Sequence, residues 1–183
     1  MNLAAVILAA GQGTRMRSRL PKVLHPLAGE PMVRHVLRAV GVLEAQPVVL
    51  VVGHGAEAVQ QATADLGLAY ALQEEQLGTG HAVLQTLPYL AGAVDHVVVG
   101  YGDMPLLQAE TYGRLAGHHQ ASGATLTMLT VVHQDPMGFG RVVRGPDGRV
   151  AAVVEERDCT PEQRQIRELN CGVYCFDADW LWR

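Results

Sequence analysis

One short apolar segment near the start of the chain constrains the fold more than any other feature. Residues Leu3–Ala9 are all apolar, and Gly11 and Gly13 follow almost at once. An unbroken run of this length is typical of a strand that is buried on both faces of a parallel sheet. It is too short to cross a bilayer and no basic stretch precedes it, so it is predicted to be neither a membrane span nor a signal peptide.

Apolar runs of the same kind alternate with amphipathic segments along the chain. This alternation predicts an α/β fold, a Rossmann-like, mostly parallel mixed sheet with helices on both faces. The predicted strands are Leu3–Ala9, Pro47–Gly53, Leu68–Leu72, His96–Gly100, Ala124–Val132 and Leu169–Phe176, and the predicted helices are a stretch opened by Pro31, then Ala56–Asp65, Gly80–Leu90 and Glu110–Ala121.

The pattern changes at Gly145-Pro146-Asp147-Gly148, which is a strong turn signal. It predicts an antiparallel hairpin between Arg141–Arg144 and Arg149–Glu155. A further helix begins near Asp177 and would be interrupted at Arg183. Residues 1–183 are therefore expected to form one domain that is incomplete at its C-terminal end.

Composition argues against several classes of function. The formal net charge of -4 disfavours general nucleic-acid binding, which requires a basic surface. The three cysteines make no disulfide framework. Cys171 and Cys175 could be zinc ligands, but no second pair at zinc spacing accompanies them, which favours buried free thiols. We expect a soluble, cytoplasmic protein with neither nucleic-acid nor membrane partners.

The loop after the first strand reads Ala9-Ala10-Gly11-Gln12-Gly13-Thr14-Arg15-Met16. Ligands of open α/β sheets bind outside the carboxyl ends of the strands, where glycines let backbone N–H groups approach a phosphate. A dinucleotide-binding fingerprint would need a third glycine at Met16, and a Walker-A loop would need Gly-Lys-Ser/Thr, so neither motif is present. A plain strand-to-loop turn remains an alternative.

Lys22 is the only lysine in the chain, against thirteen arginines. Lysine offers a compact point charge on a flexible stem, which suits contact with one crowded phosphate better than the planar fork of arginine does. A lysine just after a glycine-rich loop therefore indicates a phosphate ligand. The alternative is a surface lysine without a function.

A third motif, Tyr101-Gly102-Asp103-Met104-Pro105, follows the most apolar strand. An acidic residue at the tip of a central strand lies beside the ligand crevice. Carboxylates there commonly hold Mg²⁺ together with substrate phosphates. Asp103 is also compatible with an N-cap of the following helix.

Taken together, these motifs resemble the sugar-nucleotide pyrophosphorylases of the GT-A-like nucleotidyltransferase fold. The resemblance is closest to the uridyltransferase domain of bacterial bifunctional N-acetylglucosamine-1-phosphate uridyltransferases/glucosamine-1-phosphate N-acetyltransferases, and it covers nearly the whole chain. The segments that carry it are Gly11-Gln12-Gly13-Thr14-Arg15-Met16, Leu20-Pro21-Lys22-Val23-Leu24, Gln73 to Ala82 (QEEQLGTGHA), Tyr101 to Leu106, Gly138-Phe139-Gly140-Arg141, Val154-Glu155 and Glu168-Leu169-Asn170-Cys171-Gly172.

The resemblance implies a Mg²⁺-dependent transfer of UMP from UTP to N-acetylglucosamine 1-phosphate, which gives pyrophosphate and UDP-N-acetylglucosamine, a precursor of peptidoglycan. Arg15 and Lys22 would be catalytic, and Asp103 would be the metal ligand. The implied nucleotide-binding residues are Leu8, Ala9, Ala10, Gly11, Gly13, Lys22, Gln73, Gly78 and Thr79, and the implied sugar-phosphate-binding residues are Tyr101, Gly102, Gly140, Glu155 and Asn170.

Such a reaction needs no general base, because the attacking phosphate is already an anion, so positioning and charge stabilisation suffice. We expect His118 and His119 to be solvated at a helix end. His81 is expected to cap or to support the site without taking part in the chemistry. Gln12 stands where the family frequently has lysine, which removes one charge from the phosphate loop.

In that family the domain continues for several dozen residues, with an asparagine that completes the Mg²⁺ site. A left-handed β-helix with acetyltransferase activity and the trimer interface then follows. A trimer is expected only if such a β-helix is present, and activity of residues 1–183 alone is left open. The alternatives are another sugar-phosphate nucleotidyltransferase, or a nucleotide-binding module without turnover.

Overall fold

Most of the predicted strands and helices are present in the computed structural model, which describes residues 2–13 and 16–183. The strands are β1 (Leu3–Leu8), β2 (Pro26–Leu27), β3 (Glu30–Pro31), β4 (Val48–Val52), β5 (Ala69–Leu72), β6 (His96–Tyr101), β7 (Leu126–Val132), β8 (Arg141–Arg144), β9 (Val150–Val154) and β10 (Glu168–Asp177). The helices are α1 (Met32–Val40), α2 (Ala56–Thr63), α3 (Thr79–Leu84), α4 (Leu87–Leu90), α5 (Ala109–Ser122) and α6 (Ala178–Leu181).

The chain divides into two compact units. The first unit comprises Met1–Thr127 and Tyr174–Arg183, and the second comprises Met128–Val173. The prediction that residues 1–183 make one nucleotidyltransferase domain stays a prediction.

The sheet of the first unit has the strand order β5-β4-β1-β6, and all of these strands are parallel. The end of β10 adds an antiparallel strand beside β6, with Tyr174 opposite Val99. Leu8 pairs with Tyr101 at the carboxyl ends of β1 and β6. The chain adds β4 and β5 on one side of β1 and β6 on the other, so the order of the sheet reverses between β1 and β6. The predicted mixed, mostly parallel sheet is confirmed.

Helices cover both faces of this sheet. Ala4 and Val6 of β1 belong to one buried cluster with Leu90 of α4. On the opposite face, a Cβ added to Gly100 would stand 3.2 Å from the Tyr112 hydroxyl of α5 and 3.7 Å from Ile7 Cδ1. Burial on both faces explains why β1 is an unbroken apolar run.

The predicted helix Gly80–Leu90 is wrong as a single element. The structure has α3 and α4 instead, separated at Gln85 and Thr86. Pro88 lies in the first turn of α4, and without an N–H group it would leave the Leu84 carbonyl unpaired in a continuous helix. The Thr86 hydroxyl donates to Val83 O at 2.7 Å and closes the end of α3.

The second unit contains the predicted hairpin. Strands β8 and β9 are antiparallel, with Arg141 opposite Val154. The backbone N–H of Gly145 donates to Arg149 O at 2.8 Å across the predicted turn. Leu169 of β10 pairs with Arg141 on the other edge of β8.

The cysteines are free thiols, as the sequence favours. Cys159 and Cys175 are buried, and Cys171 is half-buried. Burial raises the pKa of the Cys175 thiol to about 12 and also raises the pKa of Cys171. The described residues hold no group of three or more His, Cys, Asp or Glu side chains suited to a metal. Within the same residues, no helix combines the length and apolar character needed to cross a bilayer.

His119 is buried, and the expectation that it is solvated at a helix end is wrong. Only 1% of this residue is exposed, because it lies on the face of α5 turned toward the sheet, where its ring meets the His96 ring edge-on at a centroid distance of 5.0 Å. Its Nδ1 lies 2.9 Å from the Thr127 hydroxyl. Burial first, and then the charges of His96 and His118, lower the pKa of His119 from its ordinary 6.5, against an opposing effect of Asp177.

We expect the free energy of unfolding to fall as the pH drops below 6.5, the ordinary histidine value. In that range the unfolded chain binds a proton at residue 119 that the folded chain resists, so the stability present at higher pH is progressively lost. His119→Gln should remove this part of the pH dependence, whereas His118→Gln on the same helix should keep it. Denaturant unfolding from about pH 5 to 8 measures this. Equal pH slopes in wild type and His119→Gln would contradict the assignment.

Candidate functional site

A cavity of about 470 Å³ opens at the carboxyl ends of β1, β5 and β6 in the first unit. It lies where the order of the sheet reverses, which is where ligands of open α/β sheets bind. The described residues that line it are Leu8, Ala9, Ala10, Gly11, Gly13, Met16, Lys22, Val23, Gln73, Gln76, Gly78, Thr79, Ala82, Tyr101 and Asp103. The structure thus brings together most of the residues that the sequence analysis assigns to a nucleotide site.

Gly11 and Gly13 of the first loop are glycines for different structural reasons. Gly13 has a left-handed φ of +61°, and a Cβ there would stand 2.7 Å from the Cβ of Lys22. Only glycine combines that conformation with so close an approach. Gly11 also lines the cavity, but a Cβ on it would meet no atom within 4 Å. Gly13 is therefore required by the packing of the protein, whereas the space at Gly11 is open to a ligand.

Lys22 and Asp103 form an ion pair in the cavity. Lys22 Nζ lies 2.5 Å from Asp103 Oδ2, and the side chains are 41% and 28% exposed. Lys22 begins a 3-10 turn, Lys22–Leu24, that is anchored by the buried side chains of Val23 and Leu24. Asp103 follows β6, and helix α5 has Gln108 at its N-cap position. The N-cap interpretation of Asp103 is therefore wrong, since its carboxylate pairs with Lys22 instead.

Gln73 is a buried amide at the end of β5, with 3% of the residue exposed. Its backbone N–H donates to Val52 O at 2.8 Å, which fixes the main chain. Its side-chain Nε2 donates to Gly78 O at 3.0 Å and lies 3.1 Å from His81 Nδ1. Among the described residues, its Oε1 has no hydrogen-bond partner. The side chain therefore has an unpaired acceptor, Oε1, beside the cavity that Gln73 lines.

Gly78 shapes this part of the cavity. Its φ of +106° and ψ of 176° lie in a region that is essentially reserved for glycine. This conformation lets its carbonyl accept from both Gln73 Nε2 and the backbone N–H of Ala82, the latter at 3.1 Å. Thr79 follows as the first residue of α3 and lines the cavity.

In the second unit, Gly140, Glu155 and Asn170 are neighbours. The backbone N–H of Asn170 donates to Gly140 O at 2.9 Å, and a Cβ on Gly140 would stand 3.5 Å from Glu155 Oε1. The buried Arg141 holds this region, because it pairs with Glu156 at 2.6 Å and donates to Phe139 O. Three of the five residues assigned to the sugar phosphate are thus grouped, while Tyr101 lines the cavity of the first unit and Gly102 follows it.

Some cavity residues were missed, and one predicted residue lies outside the described part of the chain. Arg15, predicted to be catalytic, is not among residues 2–13 and 16–183. Gln76 lines the cavity, and its Nε2 donates to Gln73 O at 3.2 Å. It belongs to the same QEEQLGTGHA segment as Gln73, which is the signal that could have found it. Met16, Val23 and Ala82 are apolar lining residues that also lie in segments carrying the resemblance, but they have no polar side-chain group that would single them out.

The donor set fits Mg²⁺ bound through a single protein carboxylate. Asp103 is the only carboxylate among the described residues that line the cavity. Mg²⁺ is commonly held by one or two carboxylates, several waters and substrate phosphates, without an all-protein cage. Asp103 therefore suits an ion that arrives with a phosphate ligand.

Comparison with known proteins identifies a family of similar sequences. The MobA-like NTP transferase domain family matches residues 5–168. The chain is 50% identical over 181 residues to the "Bifunctional protein GlmU" of Pelotomaculum thermopropionicum, covering 99% of this chain and 39% of that protein. It is 51% identical over 187 residues to the protein of the same name from Pseudomonas aeruginosa PAO1, covering 100% and 40%. The chain therefore spans about 40% of the length of these relatives. The predicted resemblance is confirmed.

Solved structures share the fold at low sequence identity. One was assigned as a glucose-1-phosphate thymidylyltransferase from Bacillus anthracis, in complex with sucrose, and has a TM-score of 0.78 at 17% identity, covering 98% of this chain and 73% of that one. Another is a CMP:2-keto-3-deoxy-manno-octonic acid synthetase complexed with CTP, with a TM-score of 0.74 at 21% identity, covering 100% and 76%. These likenesses confirm the nucleotidyltransferase-like α/β fold.

Replacing the two loop glycines by alanine should separate folding from binding. Gly13→Ala should lower the free energy of unfolding by at least about 1–2 kcal/mol, the cost of a left-handed backbone for a residue with a Cβ. Gly11→Ala should change it by no more than about 0.5 kcal/mol, yet weaken the binding of a nucleoside triphosphate because its methyl group occupies ligand space. Thermal unfolding and calorimetric titration measure the two effects. Unchanged nucleotide affinity in Gly11→Ala would contradict the assignment of the open space.

Proposed function

Because the chain belongs to the MobA-like NTP transferase domain family, we propose that it transfers UMP from UTP to N-acetylglucosamine 1-phosphate in a Mg²⁺-dependent reaction. The products are UDP-N-acetylglucosamine and pyrophosphate. The predicted enzyme class, a nucleotidyltransferase, is confirmed by family membership, whereas the two substrates and the metal are the proposal. The observation that carries it is the cavity that gathers the glycine loop, Lys22, Gln73 and Asp103.

The nucleotide base is assigned to the Gln73 end of the cavity. The free Oε1 of Gln73 suits a ligand that presents an N–H group, and the N3–H of uracil is such a donor. A buried amide discriminates between bases in this way. A base that presents an acceptor opposite Oε1 leaves both that acceptor and Oε1 without a hydrogen bond. The apolar residues at the end of β1, Leu8 to Ala10, supply a surface for the ring and ribose.

The triphosphate is assigned to the glycine loop and Lys22. No atom lies within 4 Å of the place where a Cβ on Gly11 would stand, which leaves room there for phosphate oxygens. The backbone of Lys22 lies close beside Gly13 of the loop, and its ammonium group pairs with Asp103. It lies where a point charge can stabilise the negative charge that develops at the α-phosphate. Arg15 is the second cation proposed for the triphosphate.

Asp103 is the residue proposed to hold Mg²⁺. When bound there, the ion would neutralise the phosphate charge of the leaving group. Asp103 pairs with Lys22, so a metal and the lysine compete for the same carboxylate. Phosphates that attract Lys22 would therefore also free Asp103 for the metal.

Gly140, Glu155 and Asn170, which lie in the second unit, are proposed to contact the sugar phosphate, and the assignment of Tyr101 and Gly102 to it stays a prediction. Glu155 and Asn170 carry the carboxylate and amide groups that suit the hydroxyl and acetamido groups of such a sugar. The backbone around Gly140 is closely packed, since a Cβ there would lie 3.3 Å from Val153 Cγ1 and from Val154 O. This packing keeps the backbone next to Glu155 and Asn170 in place.

The chemistry is an in-line displacement. A phosphate oxygen of the sugar phosphate forms a bond to the α-phosphorus of UTP. The bond between that phosphorus and the bridging oxygen to the β-phosphate breaks, and its electron pair leaves with pyrophosphate. No proton transfer is required, because the nucleophile is an anion. In agreement with this, the described residues that line the cavity include no histidine and only one carboxylate, Asp103.

Pyrophosphate release by this chain tests the proposal. UTP, CTP, GTP and dTTP are each supplied with N-acetylglucosamine 1-phosphate and Mg²⁺, and the same assay is run with glucose 1-phosphate. We expect the highest rate with UTP and the acetamido sugar. Faster turnover with another pair would assign a different sugar-phosphate nucleotidyltransferase. UTP binding without turnover would favour a nucleotide-binding module.

Lys22→Ala should lower the turnover number by about 10²–10³, as expected when one preorganised charge is removed from a developing anion. Lys22→Arg should also be impaired, because a broad planar guanidinium does not supply the compact point charge of the ammonium group. Thermal unfolding of both variants controls for folding, and Arg38→Ala on an exposed part of α1 is a matched control for loss of a cation. A turnover number within a few-fold of wild type in Lys22→Ala would exclude a catalytic role.

Lys22→Met should raise the affinity of the protein for free Mg²⁺. Asp103 would lose the ammonium group that lies 2.5 Å from it, and a competing cation would be removed from the only carboxylate of the described cavity lining. Calorimetric titration with Mg²⁺ alone measures the change, and Lys22→Met combined with Asp103→Asn should abolish it. An affinity equal to that of wild type would mean that Asp103 does not bind the ion.

A further inference from the structure

Helix α3 carries a histidine whose two ring nitrogens both contact side-chain amides. His81 Nδ1 lies 3.1 Å from Gln73 Nε2, and His81 Nε2 lies 3.1 Å from Gln85 Nε2. His81 itself is not one of the described residues that line the cavity. It therefore contacts Gln73, the residue proposed to bind the base, without lining the cavity itself.

We propose that His81 is the positioning residue that fixes the orientation of the Gln73 carboxamide, and through it the choice of uracil over cytosine. This inference rests on the proposed function. It adds that base choice depends on a residue outside the cavity.

The Gly78 carbonyl establishes which end of the amide is nitrogen. A carbonyl oxygen can only accept, so the Gln73 atom that lies 3.0 Å from Gly78 O is the NH₂ group. The second hydrogen of that NH₂ group is directed to His81 Nδ1, which must then be the unprotonated ring nitrogen. The ring proton is therefore on Nε2. Gln85 Nε2 lies 3.1 Å from that nitrogen and also donates to His81 O at 3.1 Å, so the half-buried Gln85 carboxamide must turn before it can accept the proton, whereas the buried Gln73 carboxamide keeps its place. Both N–H groups of Gln73 are thereby used inside the protein.

These two hydrogen bonds determine how firmly Oε1 stays directed at the ligand. The terminal torsion of a glutamine side chain is broad, so its two ends can exchange by a half-turn with little steric change. After that half-turn, Oε1 would face the Gly78 carbonyl oxygen and the lone pair of His81 Nδ1, and both contacts would become repulsive. Without His81, only the Gly78 contact opposes the exchange.

The orientation of Gln73 matters because the edges of uracil and cytosine are opposite at N3. Uracil presents N3–H, which donates to Oε1, whereas cytosine presents an unprotonated N3, which accepts. A Gln73 amide turned by half a turn would present NH₂ to the base and would suit cytosine. A fixed amide therefore excludes cytosine, and an amide that can turn admits it.

Dissociation constants for UTP and CTP, each with Mg²⁺, measure the preference in this chain and three variants. His81→Ala and His81→Phe both lack the acceptor, and the second keeps a ring of similar size. We expect either change to lower the UTP-over-CTP preference about five- to tenfold, the effect of one neutral hydrogen bond. His81→Asn should restore most of the preference, because its Oδ1 is as far from the backbone as Nδ1 in bonds. His118→Ala, at an exposed site on α5, is the histidine control and should behave as wild type.

Alanine is a strong helix former, so His81→Ala is compatible with α3, and thermal unfolding identifies any variant that does not fold. An unchanged UTP-over-CTP ratio in the folded His81→Ala or His81→Phe protein would overturn the inference while leaving the proposed function in place. Failure of His81→Asn to restore the ratio would also overturn it, because the acceptor would not be the cause. A wild-type chain that does not prefer UTP would overturn both the proposed function and this inference.

Discussion

The rest of the first unit depends on the central position of β1. This strand pairs in parallel with β4 on one side and with β6 on the other, and helices cover both of its faces. Parallel strands bring their carboxyl ends to the same edge of the sheet. The glycine loop follows β1, Gln73 follows β5 and Asp103 follows β6. Gly11 and Asp103 therefore line one cavity although they are 92 positions apart in sequence. The cavity exists because the strand ends coincide there.

Close backbone packing gives this edge its shape. A Cβ on Gly53 would stand 2.9 Å from both Ala10 Cβ and Gln73 O, and one on Gly102 would stand 3.3 Å from Leu8 O. The loops after neighbouring strands thus lie against one another with no room for a side chain. Such packing preorganises Lys22, Gln73 and Asp103, and preorganisation is what the proposed reaction, which uses no general base, would require.

The sequence predicted the strands and the hairpin correctly, but it did not predict the break between α3 and α4 or the burial of His119. Strand positions were predictable because burial on both faces leaves a long apolar run, and the hairpin was predictable from its turn sequence. The division of Gly80–Leu90 into α3 and α4 was not predicted, since its apolar periodicity continues across Pro88. His118 and His119 were both expected to be solvated at a helix end, whereas the position of His119 on the buried face of α5 depends on how that helix packs.

The sequence by itself determined the class of fold, the family and the residue types of the site, because apolar runs, Gly-x-Gly, a single lysine and the QEEQLGTGHA segment are local patterns. Only the tertiary structure decided which of these residues meet. It paired Lys22 with Asp103, and it grouped Gly140 with Glu155 and Asn170. It also placed Gln73 Nε2 within hydrogen-bond distance of Gly78 O and His81 Nδ1. Hydrogen-bond partners depend on distances between side chains from different elements, and such distances are established only when the chain packs.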